Sequence, residues 1–121
     1  MTRSLEEEFQ RWLRERREAY RADLEAELPR LVEALKAIGV QRIVLFGSVA
    51  QGKAGLGSDL DLLVIWDTPL GFMERTIELY RRLQPRVAVD LFVYTPEEMA
   101  RMADRPLIRR ALMEGKVLYA A

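Results

Sequence analysis

Two aspartates, Asp59 and Asp61, stand at the start of an otherwise apolar run, DLDLLVIW. Because side chains alternate between the two faces of a β-strand, a strand here places both carboxylates on one face, about 7 Å apart. At an effective dielectric constant near 20, this pair of like charges costs roughly 2 kcal/mol. A hard divalent cation would offset that cost, since Mg²⁺ in proteins takes one or two carboxylates together with substrate phosphates. The pair therefore indicates a metal site.

A third aspartate, Asp90, lies inside a second apolar run, VAVDLFVY. The 28 residues between Asp61 and Asp90 suffice for the rest of one strand, a crossover helix and a return strand. We therefore expect Asp90 on a neighbouring strand, facing the same way as the pair. Three convergent carboxylates suit two-metal displacement at phosphorus. The alternative for Asp90 alone is a core acid paired with an arginine.

The pair Gly47-Ser48 directly follows a third apolar run, RIVLF, and ten residues separate it from Asp59. A glycine there would let a phosphate approach the backbone amides, and the Ser48 hydroxyl would add a donor. Lys53, or an arginine brought in by the fold, would add positive charge.

Residues 47–53 also fit the first seven positions of a Walker A loop, GSVAQGK. The eighth position is Ala54, so the hydroxyl that should hold Mg²⁺ is missing. A Walker loop also opens a helix at its lysine, whereas a strand follows here. We therefore reject the Walker interpretation.

Strands are predicted at residues 42–46, 59–66 and 87–94, with a short edge strand from residue 116. Helical spacing of apolar residues predicts helices between and around them, and Pro29 predicts a break that divides the N-terminal helical region into two helices. Glycines between residues 47 and 58 predict a tight loop with at most one helical turn. The expected fold class is α/β (α+β), with a small mixed sheet of three to four strands covered by helices.

The first predicted helix begins at a capping box, Ser4 to Glu7, and carries an apolar stripe. The stripe consists of Leu5, Phe9, Trp12, Leu13, Tyr20, Leu24 and Leu28. Its first four residues fit packing into the core, which is the favoured interpretation, or a surface for a second copy of the chain or another partner.

The composition excludes several kinds of chemistry. The chain has no Cys and no His, which excludes disulfides, thiolate or imidazole catalysis and the usual zinc sites. Nineteen Lys and Arg balance nineteen Asp and Glu, so no whole-molecule charge favours nucleic acid or an anionic membrane. No apolar signal core or long hydrophobic span is evident, and we expect a cytoplasmic protein that binds neither membranes nor nucleic acid.

The glycine–serine pair, the ten-residue spacing, the DxD pattern and the later strand aspartate resemble the minimal nucleotidyltransferases of the DNA polymerase beta-like superfamily. The likeness extends from about residue 31 to residue 94. It implies the polymerase beta-like fold with an extra N-terminal helix. Residues 1–28 would form a helical extension and residues 29–121 the nucleotidyltransferase domain.

The resemblance also implies roles for individual residues. The nucleotide-binding residues would be Gly47, Ser48, Lys53 and Ser58. The metal-binding and catalytic residues would be Asp59, Asp61 and Asp90, with Asp90 helping to activate the acceptor hydroxyl. The cofactor would be Mg²⁺, as two ions, and the substrate a nucleoside triphosphate, ATP.

Small members of this kind resemble antitoxin partners of HEPN-domain proteins, some of which transfer AMP from ATP to a tyrosine of the toxin. The loop departs from the common pattern at Val49 and Gln51, where phosphate-facing cations are more usual. A second hypothesis is therefore a module that neutralises a HEPN partner by contact alone. Transfer to a small molecule and nucleic-acid polymerisation are less favoured, and a homo-oligomer stays open.

Overall fold

The computed structural model describes residues 4–55 and 57–121. The elements, in chain order, are α1 (Leu5–Ile38), β1 (Arg42–Phe46), α2 (Gly47–Ala50), β2 (Leu60–Ile65), α3 (Phe72–Leu83), β3 (Val89–Tyr94), α4 (Pro96–Met102), α5 (Pro106–Glu114) and β4 (Lys116–Ala120). The predicted edge strand and the single helical turn after β1 are both present. Asp59 lies just before β2, and β3 begins two residues later than predicted.

Helix α1 is continuous over 34 residues, from the Ser4 cap to Gly39. The break predicted at Pro29 is therefore wrong, because Pro29 lies inside the helix. Leu24 before it and Leu31 after it are both completely buried in the same core. Burying a leucine side chain contributes about 1.5–3 kcal/mol. Packing on both sides of the proline thus offsets its cost within a helix.

The four strands form one sheet in the order β3-β2-β1-β4. Strand β1 pairs antiparallel with both β2 and β4, whereas β2 and β3 run parallel. Parallel neighbours need a crossover connection, and α3 supplies it. The sheet is mixed, as predicted, and the two parallel strands begin at the same end of it.

Helices cover both faces of the sheet. On one face, α1 and α3 pack on a large cluster that includes Leu24, Leu62 and Leu79. On the other face, Ile108 of α5 packs against Phe46 and neighbouring side chains. Since side chains alternate along a strand, the second face is also the one on which residues 61 and 90 lie.

The N-terminal half of α1 does not join the core. Leu5, Phe9 and Trp12 are 85%, 54% and 48% exposed, so the core-packing interpretation of this stripe is wrong. No side chain from residue 4 to residue 19 is buried. This part of α1 extends beyond the sheet. The spacing of apolar residues along a helix does not indicate how far the sheet extends.

Within the described residues, no helix is long and apolar enough to cross a membrane.

Candidate active site

Asp61 and Asp90 are direct neighbours across the parallel strands β2 and β3. Residues paired in this way present their side chains on the same face of the sheet. The two carboxylates lie within hydrogen-bonding reach of each other, and Asp59 lies close enough to interact with both. The structure therefore brings together the three acids that the sequence singled out, at the end of the sheet where both strands begin.

The pKa values of Asp61 and Asp90 are both raised. Burial raises the pKa of Asp61 to about 6, and the negative charges of Asp90 and Asp59 contribute to that rise. The pKa of Asp90 is also raised, first by burial and then by the charge of Asp59. Among the described residues, no lysine or arginine forms an ion pair with any of them. The alternative of an arginine-paired Asp90 thus finds no support in the described part of the chain.

These donors suit a hard divalent cation, because they are carboxylates that repel one another and form no ion pair with a cation of residues 4–55 and 57–121. In residues 4–55 and 57–121, no three acidic side chains are grouped tightly enough to form a complete metal site by themselves. Mg²⁺ usually combines one or two carboxylates with water and substrate phosphates, so it does not require three protein carboxylates.

Gly47 lies directly against Asp61. Gly47 has a φ of +79°, a conformation that L side chains rarely adopt, and a Cβ on it would lie 2.1 Å from Oδ2 of Asp61. We expected the glycine to leave room for a phosphate. The Asp61 carboxylate fills the Cβ side of Gly47, and the approach of a phosphate to the backbone amides here stays a prediction.

The two serines meet although ten positions separate them. The Ser48 hydroxyl donates to Oγ of Ser58 at 3.3 Å, and Oγ of Ser58 also accepts from the Gly55 amide at 2.9 Å. The Lys53 amide donates to the Ser48 carbonyl at 2.8 Å, while the Lys53 side chain is exposed. The glycine–serine turn and the end of the following loop thus form one hydrogen-bonded unit next to the acids.

The two loop residues that depart from the common pattern, Val49 and Gln51, contact other parts of the protein. Val49 is partly buried against the core. Gln51 donates from its side chain to Glu114 of α5 at 3.3 Å. Lys53 is the cation of this loop in the described residues.

Comparison with known protein families identifies the family to which this chain belongs. The model of the family described as "Nucleotidyltransferase domain" matches residues 28–119. The chain belongs to this family. It is therefore an enzyme of the nucleotidyltransferase type, as predicted.

Similar proteins agree with this assignment. A Methanocaldococcus jannaschii protein named "Putative protein adenylyltransferase MJ0604" is 30% identical over 100 residues, which is 78% of this chain and 97% of the relative. A crystal structure of the toxin–antitoxin MntA-HpeT, in a mutant form, is 28% identical with a TM-score of 0.56 and covers 77% of this chain and 72% of that one. A toxin–antitoxin structure with AMP-PNP is 26% identical with a TM-score of 0.54, covering 77% and 73%.

The fold is shared more widely. The crystal structure of "a putative nucleotidyltransferase from Sulfolobus solfataricus" has a TM-score of 0.60 at 18% identity, covering 84% of this chain and 85% of that one. At this identity the likeness shows the fold alone.

Sequence reasoning missed one residue that supports the strand bearing Asp90, Tyr80 of α3. Its hydroxyl donates to the Val89 carbonyl at 2.7 Å and accepts from the Leu91 amide at 3.0 Å. Strand β3 is the edge of the sheet formed by the described residues, so no strand of that sheet pairs with these two backbone groups. Tyr80 thus fixes the backbone on both sides of Asp90. Its position in the apolar spacing of α3 indicated packing only.

A cavity of about 390 Å³ lies elsewhere, between α1 and the connection that precedes β3. It is lined by Asp23, Ala26, Glu27, Arg30, Arg86 and Val87. None of these is a predicted site residue, and Glu27 is already engaged by Arg30. The cavity therefore has no assigned part in the nucleotidyltransferase site.

Proposed function

We propose that the chain transfers AMP from ATP, with Mg²⁺, to a hydroxyl of a partner protein, and that the partner is a HEPN-domain toxin. The observation that carries the proposal is the meeting of Asp59, Asp61 and Asp90 beside the glycine–serine turn. Transfer would take place where ATP is available, in the cytoplasm.

The acids suit the chemistry of displacement at phosphorus. The acceptor oxygen forms a bond to the α-phosphorus, the bond from that phosphorus to the bridging oxygen of the β-phosphate breaks, and pyrophosphate leaves. Asp90 would take the hydroxyl proton, since its carboxylate lies on the same face of the sheet as Asp61. Two Mg²⁺ ions held by Asp59, Asp61 and Asp90 would supply charge stabilisation at the phosphates.

The loop suits the triphosphate. Ser48 and Ser58 place two hydroxyls side by side next to the acids. Lys53 is exposed and free to turn towards a bound phosphate. Hydroxyl and ammonium donors at this point would bind the phosphates and orient the α-phosphorus for attack.

The comparisons support the choice of nucleotide, acceptor and partner. The M. jannaschii relative is named for adenylyl transfer to protein. One similar structure contains AMP-PNP, an ATP analogue, and another is of the toxin–antitoxin MntA-HpeT. These structures are 26–28% identical to this chain, so the nucleotide and the partner in their names are carried over to this chain only as part of the proposal.

The test is transfer of label from α-labelled ATP, with Mg²⁺, to the protein encoded by the neighbouring gene. We expect wild-type protein to label that partner and Asp61→Asn to abolish labelling, because the substitution removes a charged ligand and keeps the size. Asp67→Asn makes the same change at an exposed residue near the other end of β2 and should label normally. Equal labelling by wild type and Asp61→Asn would refute the proposal.

A second candidate is neutralisation of the partner by contact. It is favoured by Val49 and Gln51, since the first packs on the core and the second pairs with Glu114, so neither contacts a phosphate. Under this hypothesis, changing all three acids to alanine leaves neutralisation of the partner in cells intact. Under the transferase hypothesis, the same variant loses it.

A further inference from the structure

The loop between α2 and β2 joins the glycine–serine turn to the acids, and it has few bonds of its own in its described residues. The Ser58 amide donates to the Gly55 carbonyl at 3.1 Å, and the Lys53 amide donates to the Ser48 carbonyl at 2.8 Å. Ordering a loop residue costs about 1–2 kcal/mol of backbone entropy. Contacts from outside the loop are therefore needed to fix its conformation.

Two adjacent residues of α1 provide such contacts. The Tyr20 hydroxyl donates to the Ser58 carbonyl at 2.7 Å, and Nη2 of Arg21 donates to the Ala54 carbonyl at 3.0 Å. One turn further along α1, Leu24 is completely buried and fixes the helix on the core. The loop is thus tied to a rigid element at two points that lie four residues apart.

The contact at Ser58 extends into the proposed nucleotide site. Oγ of Ser58 accepts from the Ser48 hydroxyl at 3.3 Å, and Asp59 is the next residue along the chain. A continuous series of contacts therefore runs from Tyr20 through Ser58 to Ser48. A displacement of the Ser58 backbone would move the hydroxyls of both serines.

We propose that Tyr20 and Arg21 are positioning residues, which hold the loop in the conformation that binds the triphosphate. We refer to these two residues as the α1 clamp. Both precede residues 28–119, the part that the family model matches, so the clamp belongs to the N-terminal extension of this chain. The inference rests on the proposed function of the loop in nucleotide binding. Under this proposal, residues of the N-terminal extension contribute to substrate binding in addition to the acids and serines.

Tyr20→Phe tests the clamp, because it removes one hydroxyl and keeps the ring, which packs against the core. We expect the KM and Kd for ATP to rise about three- to tenfold, which is the range for one lost hydrogen bond. The kcat should stay within about twofold, since binding that is equal in ground state and transition state changes KM alone. Amide hydrogen exchange of residues 52–55, 57 and 58 should become faster, while that of β1 and β3 is unchanged.

Matched variants control for the substitutions. Tyr119→Phe removes a hydroxyl from β4, at the other edge of the sheet from β3, and should leave the KM unchanged. Arg21→Met should raise the KM, whereas Arg14→Met makes the same change on the exposed part of α1 and should not. The double variant of Tyr20 and Arg21 should raise it further than either single change.

If Tyr20→Phe leaves both the KM for ATP and the amide hydrogen exchange of the loop unchanged, the proposed role of the clamp is wrong. A uniform rise in exchange over the whole domain would overturn it too, because the hydroxyl would then serve stability alone. If wild-type protein itself neither binds ATP nor transfers label, the proposed function fails, and the role of the clamp in nucleotide binding fails with it. The two failures are distinguishable because only the second appears in the wild-type protein.

Discussion

Oδ2 of Asp61 occupies the position next to the Gly47 Cα where any side chain at residue 47 would begin. Gly47→Ala would place a Cβ 2.1 Å from that oxygen, so the carboxylate must move. A displacement of about 1 Å in a reacting group can cost about 100-fold in rate. We expect Gly47→Ala to lower AMP transfer by about that factor, measured as initial rates of labelling with saturating ATP.

Gly52→Ala is the matched control for backbone strain. Gly52 also has a positive φ, +72°, but a Cβ on it would meet no atom within 4 Å. Both variants should lose a similar free energy of unfolding, about 1–3 kcal/mol, from the strained backbone. Only Gly47→Ala should lose activity at a temperature where both are folded. Equal activity losses would contradict a specific role for the contact with Asp61.

The raised pKa of Asp61 has a consequence for stability. Between the ordinary value of 3.8 and about 6, the folded metal-free protein binds a proton that the unfolded chain does not. The contribution of Asp61 to the free energy of unfolding is therefore unfavourable above pH 6, and it disappears as the pH falls through this window. Asp61→Asn should stabilise the metal-free protein by about 1 kcal/mol at pH 7.5, after allowance for solvent screening.

Urea unfolding in the presence of a chelator would measure this effect. The difference between Asp61→Asn and wild type should shrink to near zero at pH 4, while the exposed control Asp67→Asn should show no comparable gain at either pH. A gain that is the same at both pH values would mean that the charge of Asp61 is not its source.

Tyr80→Phe should separate the positioning of Asp90 from nucleotide binding. The change removes both hydrogen bonds that hold the backbone on either side of Asp90. If Asp90 accepts the proton as proposed, its poorer placement should lower kcat about tenfold, with the Kd for ATP nearly unchanged. Tyr94→Phe removes a hydroxyl from the same strand, where the ring packs on Phe72, and should leave kcat as it is. A Tyr80→Phe enzyme with normal kcat would exclude the positioning role.

Glu27 connects α1 to the segment before β3, so its removal should affect stability rather than catalysis. It is 5% exposed, accepts from the Arg30 guanidinium at 2.6 Å and 2.8 Å, and accepts from the Arg86 amide. The Arg30 hydrogen bonds are the main reason that its pKa falls from 4.5 to about 2. Glu27→Gln should lower the free energy of unfolding by about 1–3 kcal/mol at pH 7.

This contribution of Glu27 is complete above pH 4.5 and is lost as the pH falls towards 2, because the unfolded chain then binds the proton first. Thermal melts at pH 7 and pH 3 would show a smaller deficit at the lower pH. Glu25→Gln is the matched change at an exposed site of α1 and should be nearly neutral. A deficit of equal size at pH 3 would mean that packing, not charge, is responsible.

The residue pattern alone predicted a small sheet covered by helices, the glycine-rich loop and the placement of Asp90 on a strand next to Asp61. These predictions succeeded because strand periodicity and crossover length are local properties with few solutions. The break at Pro29 and the burial of the N-terminal stripe were predicted wrongly. The helix continues through Pro29 because Leu24 and Leu31 are buried on either side of it, and the start of the stripe is exposed because it does not reach the core. Both depend on tertiary packing, which the local spacing of residues does not determine.

The sequence by itself determined which side chains were available for chemistry: three carboxylates, two serines and a lysine, with no cysteine or histidine. Only the tertiary structure decided which groups support them, namely Gly47 against Asp61, Tyr80 beside Asp90 and Tyr20 on the loop. The first two pairs are separated by about ten residues or more and the last by 38. Such contacts form only after helices and strands have packed, because packing of the whole domain brings together groups that are far apart in the sequence.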